Sequence, residues 1–263
     1  MLDSILFKLK KFIPTRLFSW VAPAYHYAMA LVGALVYRFP SRRIIVVAVT
    51  GTKGKSSVTE ILNAILEEAG FKTAVSNTIQ FKIGDESDDN LYKMSMPGRM
   101  FMQRFIRRAV NAGCQYAVIE MTSQGAEMYR HRFIDIDALI VTNIAPEHIE
   151  AHGSYENYVK AKLEIARAVA HSGKKRTMII VNKEDKESPR FLAYDPTEKY
   201  EYSIEEGRPM TLGKQGFSMT YGGVAMTSPL SGEFNVYNCL AAMTFARTQG
   251  IGVDVMGRAI EKF

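Results

Sequence analysis

The chain has 263 residues, 47% of them hydrophobic, which is enough for one α/β core and a small appendage. Two distant cysteines, Cys114 and Cys239, exclude a disulfide framework and a cysteine metal site, and they suit a reducing cytosol. The net charge of +6 does not indicate a nucleic-acid partner, because the charge is concentrated in the first 43 residues and no nucleic-acid-binding motif occurs.

Residues 1–43 form an N-terminal arm with seven basic residues against one acidic residue, so the rest of the chain is neutral. Within the arm, residues 17–37 contain no charged residue and are long enough to cross a bilayer as a helix. Pro23, His26 and a middle rich in alanine and glycine weigh against a span. We therefore favour a helix over residues 23–37 that packs on the following domain. Membrane contact, as a span or as a basic amphipathic surface helix, is the less favoured alternative.

A phosphate-binding turn is predicted between a buried strand and a helix. Residues 44–49 are a short β-branched apolar run, and apolar residues recur at helical spacing from Val58 until Gly70. Two glycines in the intervening turn let backbone N–H groups surround an anion at the helix N-terminus. We predict that the Lys55 amine contacts the β- and γ-phosphates and that the Ser56 hydroxyl ligates Mg²⁺. The predicted nucleotide contacts in the turn are Thr50, Gly51, Thr52, Lys53, Gly54, Lys55, Ser56 and Ser57.

The sequence T-G-T-K-G-K-S-S resembles the phosphate loop of the Mur ligases and of their folylpolyglutamate synthetase relatives. Mur ligases are ATP-dependent enzymes that add amino acids to UDP-muramoyl peptides. The general pattern G-x-x-x-x-G-K-[ST] is met only in part, since Val49 stands at its first glycine. A glycine- and lysine-rich surface turn is the alternative interpretation of this stretch.

The segment that follows the loop helix predicts a strand, a hairpin and a second helix. Residues 73–76 form the strand, 81–94 the hairpin, and 100–112 the helix, which begins after a Pro-Gly break. The resemblance suggests that Ser95 and Arg99 lie near a carboxylate substrate. A plain turn at the break is the alternative.

An acidic residue follows the next buried strand, which we predict over residues 116–119. Glu120 stands at the carboxyl end of this strand, where parallel sheets bind ligands. It is therefore a candidate ligand of the Mg²⁺ that bridges ATP phosphates, and a solvated loop acid is the alternative. The family pattern E-x-S-S-[HQ] is met here with two mild departures, Thr122 and Gln124.

A longer motif follows a strand predicted over residues 136–141. The stretch from Thr142 to Lys162, T-N-x-x-P-E-H-I-E-x-H-G-S-x-E-x-Y-x-x-A-K, resembles the Mur ligase signature T-N-[LI]-x-x-D-H-[LI]-D-x-H-G-x-x-x-x-Y-x-x-A-K. Glu147 replaces the usual aspartate. On this motif the chain is identified as a member of that family.

The resemblance implies roles for two residues of this motif in binding metal. His148 resembles the ligand of a second Mg²⁺, and Lys162 resembles the lysine that is N-carboxylated in the family. That modification turns a cation into an anionic oxygen ligand suited to a hard metal ion. A helix-surface lysine is the alternative for Lys162. Asn143 and His152 are expected to orient the loop or to contact ATP.

The last segment, residues 172–263, predicts a strand at 177–181, a polar, turn-rich stretch over 184–210, and a hairpin around Gly222-Gly223. Asn182 and Asp185 are weak site candidates. The run from Gly232 resembles the family's G-x-[FH]-N-x-x-N motif, and its spacing places Asn235 and Asn238 on one helix face, where their amides can pair with adenine. Helix capping by Asn235 is the alternative.

The elements together predict an α/β fold, a mostly parallel sheet flanked by helices, with a small antiparallel element near residues 212–230. We expect an arm over residues 1–43 and a Mur ligase-type ATP-binding domain over 44–263. The arm is too short to be the family's UDP-binding domain, and we expect the family's third, Rossmann-like domain to be absent.

The function that the resemblance implies is an ATP-dependent acid–amino-acid ligase that works through an acyl phosphate. Its partners would be ATP, two Mg²⁺ ions, a UDP-muramoyl peptide and an amino acid, and its location the cytoplasm. Lys55, His148 and Lys162 are the expected catalytic residues, and Ser56, Glu120, His148 and Lys162 the metal ligands. The alternatives are a folylpolyglutamate or poly-γ-glutamate ligase, and a nucleotide-binding partner module that completes no ligation.

Overall fold

The computed structural model describes residues 15–92, 94–147 and 149–263. Within them, the main sheet has eight strands in the order β4-β3-β2-β5-β1-β6-β7-β8. All neighbours pair in parallel except β2 with β3 and β3 with β4. The strands are β1 (Ile45–Thr50), β2 (Thr73–Ser76), β3 (Gln80–Ile83), β4 (Glu86–Asp89), β5 (Tyr116–Glu120), β6 (Ala138–Val141), β7 (Met178–Asn182) and β8 (Glu198–Tyr202).

Helices cover both faces of this sheet, as expected for buried parallel strands. A smaller antiparallel sheet packs beside one of these helix-covered faces, and it contains β9 (Met210–Gly213), β10 (Gly216–Tyr221) and β11 (Val224–Ser228). The helices are α1 (Thr15–Val36), α2 (Lys55–Glu68), α3 (Arg99–Asn111), α4 (Ser123–Glu127), α5 (Ile149–His152), α6 (Tyr155–Ala170), α7 (Ser188–Leu192), α8 (Glu233–Thr248) and α9 (Val253–Glu261).

The apolar core divides into two layers because successive side chains of a strand point to opposite faces. In β1, Val47 and Val49 pack with α2 and α8, whereas Val46 and Ala48 pack with α3 and α6. All four side chains are fully buried. The predicted α/β fold with a small antiparallel element is therefore confirmed.

The strand order places β1 between β5 and β6, with all three strands parallel. Val49 pairs in register with Glu120, and Thr50 pairs with Val141. The carboxyl ends of the three strands therefore meet at one edge of the sheet. In open α/β sheets, ligands usually bind in the crevice outside the carboxyl ends of the strands, at the point where the chain connections from two neighbouring strands lead to opposite sides of the sheet.

Helix α1 packs on the domain, but it differs from the predicted helix in extent. It passes through Pro23 instead of beginning there. The buried residues Ala30 and Ala34 lie on the side of α1 that faces α3, and the Arg107 guanidinium of α3 donates to the Tyr37 carbonyl at 2.6 and 3.0 Å. Across the part of the chain that the structure describes, no helix has both the length and the apolar character to cross a membrane.

Two expectations about the sheet were wrong. The hairpin returns at β4, directly after the turn at Gly84, and not over 91–94. The polar stretch 184–210 contains a short helix, α7, and an edge strand, β8, that extends the parallel sheet. One face of β8 is exposed, and its charged residues Lys199 and Glu201 mask the strand character in the sequence.

Candidate functional site

The predicted phosphate turn lies between β1 and α2, and both of its glycines have backbone angles that favour glycine. Gly51 has φ +150° and Gly54 has φ +81°. A Cβ atom at Gly51 would collide with the Thr142 hydroxyl, and one at Gly54 with the Asn238 side-chain oxygen. The sequence therefore has glycine where the loop is pressed between the end of β6 and the start of α8.

The residues after β6 brace the phosphate loop from one side. The Thr142 hydroxyl donates to the Lys53 carbonyl at 2.6 Å, and the Thr52 N–H donates to the Asn143 carbonyl at 2.7 Å. The Asn143 side chain accepts from the Lys53 N–H and donates to the Lys53 carbonyl, both at 3.0 Å. Asn143 thus orients the loop, which is one of the two roles expected for it, the other being contact with ATP.

The Lys55 amine bends back over the loop and donates to the carbonyls of Gly51 and Thr52 at 3.1 and 2.8 Å. Burial lowers the pKa of this amine, and the nearby carboxylates of Glu120 and Glu147 oppose that shift. The amine is therefore positioned at the loop mouth with carbonyl partners that an anion could replace.

Glu120 is only 2% exposed at the end of β5, next to the start of α2. Its Oε2 atom accepts hydrogen bonds from the Ser56 hydroxyl at 2.7 Å and from the Thr78 N–H at 3.2 Å. Within the described residues, its Oε1 atom has no hydrogen-bond donor. The two predicted metal ligands Ser56 and Glu120 therefore lie together, with one carboxylate oxygen free to bind a cation.

Lys162, on α6, is 2% exposed, and its amine donates to the same Gly51 carbonyl at 2.7 Å. The amine also lies 4.8 Å from the centroid of the Tyr158 ring. Burial and the positive charge of Lys55 lower the pKa of Lys162 to about 7. A helix-surface lysine, the alternative for this residue, is therefore wrong.

The side chains of Ser123, Glu127 and His152 form a chain of hydrogen bonds beside the loop. The His152 ring lies 3.0 Å from the Ser123 hydroxyl through Nε2 and 2.7 Å from a Glu127 oxygen through Nδ1. The Glu127 carboxylate can only accept while it is ionised, so Nδ1 carries the proton that it donates. His152 consequently joins α4 to α5 and orients the segment between β6 and α6.

The two asparagines of α8 lie together on one helix face. The Asn238 amide donates to the Asn235 oxygen at 3.0 Å, and the Asn235 amide donates to the Ser231 carbonyl at 2.9 Å. Gly232 occupies the N-cap of α8, so capping by Asn235 is wrong. The Asn238 oxygen faces Gly54 of the phosphate loop.

The remaining predicted residues have simpler positions. Thr50 donates to the Met121 carbonyl at 2.8 Å and joins β1 to β5, whereas the Lys53 side chain is exposed and Ser57 lies in the first turn of α2. His148 lies outside the described residues. Asp185 accepts from the Ile144 N–H at 2.6 Å and supports the loop after β6.

Thr78 and Tyr158 also lie at this site, although neither was predicted as a site residue. Thr78 binds Glu120, and the Tyr158 hydroxyl shares a 2.7 Å hydrogen bond with Thr52. Thr78 follows β2, a parallel neighbour of β5, and polar residues after such strands are a usable signal. Tyr158 stands in the signature motif as its tyrosine.

The donor atoms at the loop mouth fit a hard divalent cation. Ser56 and Glu120 offer oxygen donors, which Mg²⁺ prefers. Across 15–92, 94–147 and 149–263, no group of three or more His, Cys, Asp or Glu side chains could hold a metal ion.

Fold and loop together define a phosphate-loop nucleotide-binding α/β domain. Residues 49–246 match the family model described as the Mur ligase middle domain, and the chain belongs to the Mur ligase family.

Named relatives agree with this assignment. The chain is 32% identical over 255 residues to a UDP-N-acetylmuramyl-tripeptide synthetase of Roseiflexus sp., covering 89% of this chain and 50% of that protein. It is 29% identical over 245 residues to a UDP-N-acetylmuramoyl-L-alanyl-D-glutamate--2,6-diaminopimelate ligase of Syntrophomonas wolfei, covering 89% and 49%. The chain thus spans about half the length of these relatives.

Solved structures share the fold. A UDP-N-acetylmuramoyl-L-alanyl-D-glutamate--2,6-diaminopimelate ligase superposes with a TM-score of 0.76 at 20% identity, over 89% of this chain and 50% of that one. A folylpolyglutamate synthase of Mycobacterium tuberculosis complexed with ADP has a TM-score of 0.72 at 13% identity, over 90% and 61%.

Proposed function

We propose that this chain is the ATP-binding part of an acid–amino-acid ligase that adds an amino acid to a UDP-muramoyl peptide in the cytoplasm. In this proposal residues 44–263 form the ATP-binding domain and residues 1–43 an accessory arm. The observation that carries it is the convergence of Lys55, the Ser56–Glu120 pair and Lys162 on one glycine turn. The names of the relatives support the substrate class.

The proposed reaction has two steps. A substrate carboxylate oxygen attacks the γ-phosphorus of ATP, the bond to the β-phosphate oxygen breaks, and ADP leaves. The amine of the amino acid then attacks the acyl carbon, the carbon–oxygen bond to phosphate breaks, and inorganic phosphate leaves while the nitrogen loses one proton to give the amide. Phosphoryl transfer depends mainly on positioning and charge stabilisation, which the loop N–H groups and the Lys55 amine would supply.

Ser56 and Glu120 would hold Mg²⁺ against the phosphates, with N-carboxylated Lys162 and His148 as ligands of a second ion. Bound Mg²⁺ supplies positive charge to the transferring phosphoryl group. The free Oε1 atom of Glu120 supports this assignment, as does its burial beside the loop.

The proposed carboxylation of Lys162 requires carbon dioxide as co-reactant. The unprotonated amine forms a nitrogen–carbon bond with carbon dioxide and releases one proton, so that a cation becomes an anionic carbamate. The buried position of Lys162, close to the cationic Lys55, disfavours the ammonium form. A carbamate there would place oxygen donors next to Gly51, where the amine now lies.

For the adenine end of ATP we propose the paired amides of Asn235 and Asn238. They lie on the helix that packs against the phosphate loop, which supports a position within reach of the nucleotide. The Asn238 amide N–H donates to the Asn235 oxygen, so adenine would bind the donors and acceptors of the two amides that remain.

A phosphate-release assay tests the proposal. The chain is incubated with ATP, Mg²⁺ and UDP-muramoyl peptides against a panel of amino acids, and the amide product is measured by mass spectrometry. Release and product should depend on both organic substrates and should be lost in Lys55→Ala. Equal activity in Lys55→Ala would contradict the proposed role of the loop.

The fold likeness to folylpolyglutamate synthases favours one alternative substrate class, a pteroyl glutamate extended by glutamate. The same assay with that substrate in place of the UDP-muramoyl peptide separates the two. ATP binding without amide formation on any carboxylate would instead favour the third candidate, a nucleotide-binding partner module.

A further inference from the structure

The side of α1 that is turned away from α3 is apolar and exposed to solvent. Its larger side chains are between 45% and 59% exposed, and no charged residue interrupts the helix between residues 17 and 36. At 100° per residue these positions fall within one side of the helix, opposite the buried Ala30 and Ala34. We define the outer face as Val21, Ala24, Ala28, Val32, Leu35 and Val36.

This distribution differs from that of the other helices on the same side of the sheet. The exposed positions of α6, for example, include Glu156, Lys160 and Arg167, as expected for a helix that faces water. A helix that is apolar on all sides is normally covered on all sides. The outer face of α1 therefore has the character of an interaction surface.

Basic residues flank the outer face in the sequence on both sides. Residues 1–43 hold the entire net charge of the chain, +6. Directly after the helix, Arg38 and Arg43 are exposed and form no ion pair within the described residues, while Arg42 stacks on Phe39 and donates to Asp135 at 3.1 Å. The surface that complements this segment is apolar and carries negative charge.

We propose that α1 lies flat on the surface of an anionic lipid bilayer, with its outer face at the boundary between headgroups and acyl chains. Arg38 and Arg43 then contact lipid phosphates. The helix stays on the surface because its inner face is held by α3, through Ala34 and the hydrogen bonds from Arg107 to the Tyr37 carbonyl.

An anionic bilayer fits these observations better than a second copy of the chain. Pairing two outer faces would bring two arms of charge +6 together, and like charges repel. A bilayer of anionic lipid satisfies the apolar strip and the arginines at once. The inference stands independently of the proposed ligase reaction.

Co-sedimentation of the full chain with vesicles tests the proposal. Binding is expected to vesicles of phosphatidylglycerol and phosphatidylcholine, to weaken as salt is raised, and to be much weaker with phosphatidylcholine alone. Leu35→Gln should weaken binding at least about threefold, because it removes an apolar side chain from the membrane. Leu212→Gln is the matched control, since Leu212 is an exposed leucine on β9, and it should bind as the unmodified chain does.

A second pair of variants tests the charge. Arg38→Gln with Arg43→Gln should weaken binding about tenfold or more at low salt, since each basic residue near an anionic surface contributes about fivefold. The control is Lys175→Gln with Lys214→Gln, which also removes two positive charges but changes exposed lysines elsewhere on the protein. This control should bind vesicles nearly as well as the unmodified chain. Circular dichroism of each variant verifies folding.

The proposal is overturned by no sedimentation with anionic vesicles, by equal sedimentation with phosphatidylcholine, or by equal binding of the Leu35 and Leu212 variants. A concentration-dependent dimer that Leu35→Gln abolishes would assign the face to a second copy and reject the membrane. Lys55→Ala should bind vesicles normally, so failure of the ligase proposal would leave this result unaffected.

Discussion

Lys55 and Lys162 donate to one and the same acceptor, the carbonyl oxygen of Gly51, at 3.1 and 2.7 Å. Two amines that converge on one carbonyl repel each other if both are charged, and the repulsion is part of what lowers the pKa of Lys162. The structure thus brings two amines, each with a pKa that burial lowers, to the same glycine.

We expect Lys162 to take up carbon dioxide. Isotope-labelled bicarbonate should give a carbamate signal by NMR that is absent in Lys162→Met and retained in Lys160→Met, a change of an exposed lysine on the same helix. Because only the unprotonated amine reacts, the signal should grow as pH rises through the Lys162 pKa of about 7. A signal equal in Lys162→Met would place the modification elsewhere.

Lys55→Ala should weaken binding of ATP with Mg²⁺ by about tenfold to a hundredfold, the usual effect of removing a charged hydrogen-bond donor. Isothermal titration calorimetry measures it, with Lys175→Ala as the control for loss of a lysine. Unchanged affinity in Lys55→Ala would mean that this amine does not reach the phosphates.

Gly54→Ala should destabilise the protein by about 1–2 kcal/mol for the left-handed backbone and by about 1–3 kcal/mol more for displacing Asn238. Gly113→Ala is the matched control, since Gly113 has φ +77° but an added Cβ would meet no atom within 4 Å. Urea unfolding gives both free energies. Equal losses in the two variants would show that the contact with Asn238 contributes nothing.

His131 should make the protein sensitive to acid. Its ring is 1% exposed, both ring nitrogens lack a hydrogen-bond partner within the described residues, and burial lowers its pKa to about 3 from 6.5. Between these values the unfolded chain binds a proton that the folded chain does not, so stability falls as pH decreases, by at most about 1.4 kcal/mol per pH unit.

His131→Leu should flatten this slope in urea unfolding measured across that pH range. His171→Leu, at an exposed position, serves as the control and should keep the slope of the unmodified chain. If the two variants have the same slope, the acid sensitivity belongs to other groups.

Much of the site could be predicted because its parts are local in sequence. The glycine turn lies between an apolar strand and an amphipathic helix, and Glu120 is the last residue of the buried strand β5. Strand–turn–helix patterns and the position of a carboxylate at a strand end were therefore sufficient. The extent of the hairpin after β3 and the strand β8 were missed, since exposed polar strands carry little hydrophobic pattern.

The sequence alone determined most of the strands and helices and the residue types at the loop, because backbone propensity and hydrophobic period are properties of neighbouring residues. Only the tertiary structure decided that Lys162, 111 residues from Gly51 in the chain, would share its carbonyl with Lys55. It also decided that Asn143 would brace the loop and that the Asn238 side chain would press against Gly54. Contacts at that separation follow from how helices pack across the sheet, which no local pattern specifies.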